Sequence, residues 1–167
     1  MDKDHIYFQD SEKNKDAMEA LPDQIKAELA AHLELYQKDP EAAHYWDTAK
    51  IGLEGVVPCL MLTVRGAKSG IPRQNVLQYY RIDDHYVIVG SRGGTVDHPI
   101  WYINLRANPD CEIQVGKLHS KAIARTLPDG PERDRYWKLI TEEQPIQAVY
   151  QKRTSRLIPV VVLDLVD

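Results

Sequence analysis

Apolar residues recur along this chain in two different rhythms. At the front, Ile25, Leu29 and Leu33 return every fourth position, one stripe of an α-helix. Pro22 suits a first helical turn, so the spacing predicts a helix from about Pro22 to Lys38. Asp39-Pro40-Glu41 reads as a cap, a first-turn proline and an early acid, which predicts a second short helix to about Lys50. From Pro58 the period drops to two. Leu60, Leu62 and Val64 alternate with Met61 and Thr63, predicting a strand over Pro58 to Arg65.

Further strands are expected at Arg73 to Ile82, His85 to Ser91, Cys111 to Val115 and Leu118 to Leu127. The closing run from Ile158 to Val166 is apolar on both faces, the pattern of a fully buried strand. Gly66 to Pro72, Asp83-Asp84 and Gly116-Lys117 are connections too short for a crossover helix, so the strands they join must return antiparallel. A short helix is expected from Pro99 through Leu105, stopped by Asn108-Pro109, and another after Gly130-Pro131-Glu132, carrying Tyr136, Trp137 and Ile140. Six strands joined mostly by hairpins predict an antiparallel α+β domain curled into a small closed or split barrel. The expected organisation is a mobile segment over 1–20, helices over 21–50 and the barrel over 51–167.

Composition narrows the chemistry. No apolar run approaches the length of a membrane span, and the first twenty residues carry nine charges and no apolar core, unlike a secretory signal. Cys59 and Cys111 stand alone, which reads as reduced core thiols of a cytoplasmic protein. With 21 basic against 25 acidic residues, a nucleic-acid partner is not expected. Yet cations gather in two places. Arg65, Lys68, Arg73, Arg81 and Arg92 stand against only Asp83 and Asp84, and Lys152, Arg153 and Arg156 have no acid beside them. Such stretches suit an anionic ligand, or are simply a solvated face.

Signatures of nucleophilic hydrolases, zinc proteases, Walker loops and dinucleotide folds are absent, and the six histidines show no metal-ligand spacing. Loops remain. In Gly66-Ala67-Lys68-Ser69-Gly70 two glycines allow backbone N–H groups to converge on an anion, with a hydroxyl and an ammonium beside them; a plain hairpin turn is the alternative. Ser91-Arg92-Gly93-Gly94 leaves a buried strand where paired glycines let a planar ligand approach the backbone, or form a flexible loop. Trp101 suits either such a ring or the core, His98 is a minor candidate, Tyr150 could offer a phenol to a carbonyl or nitro group, and Arg156 reads as structural.

Taken together, four segments resemble the deazaflavin-dependent nitroreductase family: Gly66-x-Lys68-Ser69-Gly70-x-Pro72-Arg73; Ser91-x-Gly93-Gly94; Pro99-x-Trp101-Tyr102-x-Asn104-Leu105; and Tyr150-Gln151-x-Arg153-Thr154-x-Arg156-x-Ile158-Pro159. They occur in order between about Pro58 and Leu163. The resemblance implies a six-stranded split β-barrel of the FMN-binding type, and binding of the 8-hydroxy-5-deazaflavin coenzyme F-420. It implies hydride delivery from the reduced coenzyme to an electron-poor enone, quinone or nitroaromatic. By position it assigns Ala67, Lys68, Ser69 and Gly70 to the coenzyme phosphate and tail, with Arg73, Asn75 and Val76 nearby. It sets Ser91, Arg92, Gly93, Gly94, His98, Pro99, Ile100, Trp101 and Asn104 along the deazaflavin, and implies catalytic roles for Tyr150 and Ser91.

Two departures stand out: Ala67 replaces an arginine usual in the family, and Gln144 and Gln147 occupy positions where related enzymes place tyrosines. A non-catalytic barrel holding a lipid, quinone or the coenzyme, and an FMN-dependent reductase, are the alternatives. The front helix lacks the basic face expected for anionic lipid, so it is expected to pack on the barrel or on a second subunit, as a monomer or homodimer, with membrane contact the lesser alternative.

Overall fold

The computed structural model describes residues 23–166. The expected mobile segment over 1–20 and the helix-starting Pro22 lie outside the described residues. The chain runs α1 (Asp23–Lys38), α2 (Pro40–Ala43), β1 (Tyr45–Asp47), β2 (Val56–Arg65), β3 (Pro72–Gln78), β4 (Tyr80–Ile82) and β5 (His85–Val89). It continues with α3 (Ile100–Ala107), β6 (Asp110–Val115), β7 (Leu118–Thr126), α4 (Pro131–Glu143), α5 (Ile146–Lys152) and β8 (Val160–Val166).

Every strand pairing is antiparallel. The sheet order is β1-β2-β6-β7-β8-β5-β4, and β3 pairs with the other edge of β2. Because β3 and β4 are successive pieces of one extended segment broken at Tyr79, that segment joins β2 to β5 and closes the curl. The six expected strands are all present, and the architecture is the split barrel the resemblance implies. Its interior holds Leu60, Leu62 and Val64 from β2, Ile88 from β5, Ile113 from β6 and Val161 and Leu163 from β8. β8 is buried on both faces over its first four residues, where Val161 and Leu163 look into the barrel and Val160 and Val162 pack with Tyr136 and Ile140 of α4 outside. The burial expected through Val166 is corrected at the end, where Leu165 and Val166 are exposed.

The second front helix departs from expectation. Asp39 does cap it, accepting from the Ala42 N–H at 3.2 Å, and Pro40 opens it. It ends at Ala43 because Tyr45-Trp46-Asp47, two aromatics with strand propensity, pairs with Val56 to Pro58 instead. A 3-10 turn over Thr48–Ile51 follows. α5 is a helix that the sequence pattern did not announce.

α1 packs on the barrel. Its buried face is Ile25, His32 and Tyr36, with Leu29 and Leu33 partly covered, so the true stripe passes through a histidine and a tyrosine. The odd residues of β2, Val57, Cys59 and Met61, meet it from below. The fully buried Tyr36 hydroxyl shares its one hydrogen between the Cys59 carbonyl at 2.9 Å and the Gln114 carbonyl at 3.1 Å, and accepts the Gly116 N–H at 2.8 Å. One phenol thus ties α1 to β2 and to the β6–β7 turn. Both cysteines are free and buried, and burial pushes each thiol up to about 12, so neither is a nucleophile near neutrality.

Tyr36→Phe strands three backbone groups and should lower the unfolding free energy by about 1–3 kcal/mol. Chemical denaturation measures it; an unchanged midpoint would mean that apolar contact alone seats α1.

Candidate active site

The loop leaving β5 is held by side-chain bonds to its backbone carbonyls. Arg92, Gly93 and Gly94 all take left-handed backbone angles, with φ of 45°, 67° and 81°. Such a path survives only if its polar groups are satisfied. Arg156 does this from beneath. Its Nε donates to the Thr95 carbonyl at 2.8 Å, Nη1 to the Gly90 carbonyl at 3.0 Å, and Nη2 to the Ser91 carbonyl at 2.8 Å. Nη1 also lies 3.0 Å from Nδ1 of His98, which must therefore be the acceptor nitrogen. Burial is the main cause that pulls the Arg156 guanidinium down to about 10, still charged at neutral pH. The structural role expected for Arg156 is what the geometry shows.

Gly94 serves the protein itself. A Cβ there would lie 2.5 Å from the Tyr150 carbonyl, so glycine is what lets α5 lie against the loop. That contact brings Tyr150 to the same wall as Ser91. Gly93 is open to the cleft; the close approach expected of a planar ligand at Gly94 is taken by backbone.

The result is a cleft of about 180 Å³ between the barrel and the front of the chain. Val76, Ser91, Arg92, Gly93 and Tyr150, all expected at the site, line it together with Gln144 and Gln147. The front contributes Leu29 and His32 from α1, Trp46 from β1 and Thr48. Trp46 stacks on His32, with ring centroids 4.7 Å apart and planes 9° from parallel. Among the described lining residues there is one fixed cation, Arg92, and no carboxylate. A larger groove of about 460 Å³ runs past Arg65, Pro72 and Lys121, but Asp110 and Glu112 line it and oppose an anion.

The second group of expected residues lies apart from the cleft. Ala67, Lys68, Ser69 and Gly70 form the β2–β3 turn. Several N–H groups in and beside it are already bonded: Gly66 donates to Ile71, Gly70 to Gly66, Ile71 to the Ser69 hydroxyl and Ala67 to the Asn104 amide oxygen. Of the two readings of this turn, the plain hairpin accounts for the N–H groups of Gly66, Ala67, Gly70 and Ile71, and the turn presents the exposed Lys68, with exposed Arg73 beyond it. Asn104 is the brace, joining α3 to that turn at 3.0 Å. Asn75 stands between the two groups on β3. Pro99 precedes α3, Ile100 is exposed, and Trp101 packs into the barrel interior with Tyr102 and Leu105. His98 meets Tyr102 edge-on at 5.0 Å.

Sequence reasoning missed His32, Trp46, Thr48 and Tyr80. The signal for His32 was present: positions 25, 29, 32 and 36 follow helical spacing better than 25, 29 and 33.

His98 and His32 both sit below the ordinary histidine value of 6.5, chiefly through burial, with Arg156 adding to the effect at His98. The unfolded chain therefore binds more protons below about pH 6.5, so stability is complete above that value and is lost as pH falls toward the folded values. Melting temperatures at about pH 7.5 and 5.5 should show the drop, and His98→Gln, which keeps an acceptor for Arg156, should make it shallower. Gly94→Ala, strained and clashing with backbone, should cost about 2 kcal/mol or more, read by denaturation. A neutral result there would remove α5 from the loop contact.

Comparison with known proteins places this geometry. The model of the family described as F420H(2)-dependent quinone reductase matches residues 41–164. A quinone reductase of that name from Mycobacterium tuberculosis is 42% identical over 127 residues, 74% of this chain and 85% of its own. A solved F-420-dependent reductase, FDR-A, shares 41% identity over 64% of this chain and 94% of its own, with a TM-score of 0.58. Another solved relative, described as a domain-swapped dimer, is 32% identical over 83% of this chain and 99% of its own, with a TM-score of 0.60. The chain belongs to the F-420-dependent quinone reductase family.

Proposed function

We propose that the cleft between α1, β3 and α5 is where this oxidoreductase brings a quinone to the reduced deazaflavin coenzyme F-420. The observation that carries the reading is the lining itself: apolar walls, one cation, hydroxyls at Ser91 and Tyr150, and no carboxylate among the described residues. Family membership supports F-420 over FMN and turnover over simple storage, the alternatives that the residues alone left open.

The residues fit a long anionic ligand. β3 leads from the cleft at Val76 to the turn at Pro72, a distance of about 13 Å. Its residues pass from half-buried to exposed along the way. A ring held beside Gly93 and a charged tail reaching Lys68 and Arg73 would use both groups of expected residues, with Asn75 between them. When bound, the coenzyme supplies a hydride, and reduction of the quinone to the hydroquinone is completed by a proton.

The protein's share is placement and electrostatics. Leu53, Val57, Val89 and Ile146 keep water from the reacting face. The Ser91 hydroxyl and Tyr150 phenol, each over nine-tenths buried, are the groups able to donate to an oxygen that gains negative charge, and Arg92 supports the same sign. Burial raises the phenol of Tyr80, further along the same wall, so it stays protonated.

Lys68→Ala should weaken coenzyme binding several-fold at low ionic strength, and the difference should shrink as salt is raised past the point where the Debye length is about 3–8 Å. Fluorescence titration with F-420 at two salt concentrations reads it. Equal affinity of both proteins in low salt would remove the tail from the β2–β3 turn. Oxidation of reduced F-420 by a quinone, with no response in Tyr150→Phe, would show that the phenol takes no part.

A further inference from the structure

Gln144, Gln147 and Tyr150 are spaced by three residues, and all line the cleft. The first two are bridged by Tyr80. Its hydroxyl donates to Oε1 of Gln144 at 2.6 Å, and its oxygen accepts from Nε2 of Gln147 at 3.2 Å. The bridge orients the Gln147 amide. Turning that amide alone would set two oxygens together, because the Tyr80 hydrogen is already committed to Gln144. The remaining atom is Oε1 of Gln147. It is buried and accepts no hydrogen bond among the described residues, on a side chain only 7% exposed.

A buried amide oxygen without a donor is costly, so one that persists calls for a partner from outside the chain, a ligand or a water. No carboxylate competes for such a donor along the described lining, and Gln147 is held by Tyr80 rather than free to swing away. We propose that Gln147 is a recognition residue whose Oε1 accepts a hydrogen bond from a hydroxyl or N–H on the substrate. The enzyme then selects quinones that carry a donor-bearing substituent beside the reducible ring over plain alkyl quinones. This rests on the cleft being the quinone site. It assigns selectivity to the position, not the hydride step.

The test compares a naphthoquinone bearing a hydroxymethyl group with its methyl ether, which differ in the donor but little in ring electronics. With reduced F-420, kcat/KM should favour the hydroxymethyl compound by about tenfold, chiefly through KM. In Gln147→Leu the ratio should fall to within about twofold. Binding of the same pair to the unmodified protein, read by quenching of tryptophan fluorescence, should show the same preference without turnover or variant. A ratio near one in both assays overturns the inference while leaving the reductase reading intact. A preference that persists in Gln147→Leu also overturns it. Selective binding with no turnover of either compound supports the acceptor and overturns the reductase reading.

Discussion

The partly buried Arg156 guanidinium is the interaction on which the site depends. Three carbonyls of the loop between β5 and α3 point at one side chain, at 2.8 to 3.0 Å, and His98 completes the set. A loop that turns through three successive left-handed residues bonds only one of those carbonyls from within, that of Ser91, through the Gly94 N–H at 2.8 Å, and leaves the rest to Arg156. The guanidinium supplies a rigid fork of donors, which an ammonium cannot match. Once the loop is set, Gly94 can receive α5, and Tyr150 and Gln147 then reach the same wall as Ser91. The order of causes runs from a cation before the last strand to the shape of a cleft two elements away.

Much of the barrel was legible because its strands obey a simple rule. Leu60, Leu62 and Val64 sit at one parity and Cys59 and Met61 at the other, and each set found its own cluster. β8, apolar at both parities, found two. What escaped were elements whose buried positions are polar. α5 buries Gln147 and Tyr150, and α1 buries His32; a scan for apolar periodicity reads such positions as surface. Their burial is affordable only because distant partners exist, Tyr80 for Gln147 and the Ala43 carbonyl for His32, and no local pattern reveals those. β1 was lost for a related reason, since its helix-or-strand choice is decided by the free edge of β2.

The site residues were legible as types and less so as roles. Glycine and asparagine singled out particular loops, and Gly94 and Asn104 in them pack or bond against the chain itself. Gly66 is similar: a Cβ would lie 2.6 Å from the Ser69 hydroxyl. Residues that permit close approach do not say what approaches. Here the first claimant is the protein's own backbone, and what is left facing the cleft is Gly93, Arg92 and the hydroxyls.

The glutamines show why a binding wall cannot be optimised for folding alone. Replacing an unpaired buried amide oxygen by an apolar group of similar shape removes a desolvation penalty of about 1–3 kcal/mol. Folding stability therefore pushes against Gln147, and Tyr80 fixes the amide in the orientation that leaves its oxygen unpartnered. Flexible polar groups inside a pocket adapt to many ligands, whereas one held by a second bond discriminates, because a ligand without the matching donor inherits the same penalty. A tyrosine at this position would contribute ring surface and a hydroxyl that both donates and accepts. A clamped amide oxygen can only accept. The Gln144–Tyr80–Gln147 bridge thus converts a general aromatic surface into a directional one, and selectivity follows from what the wall refuses to leave unpaired.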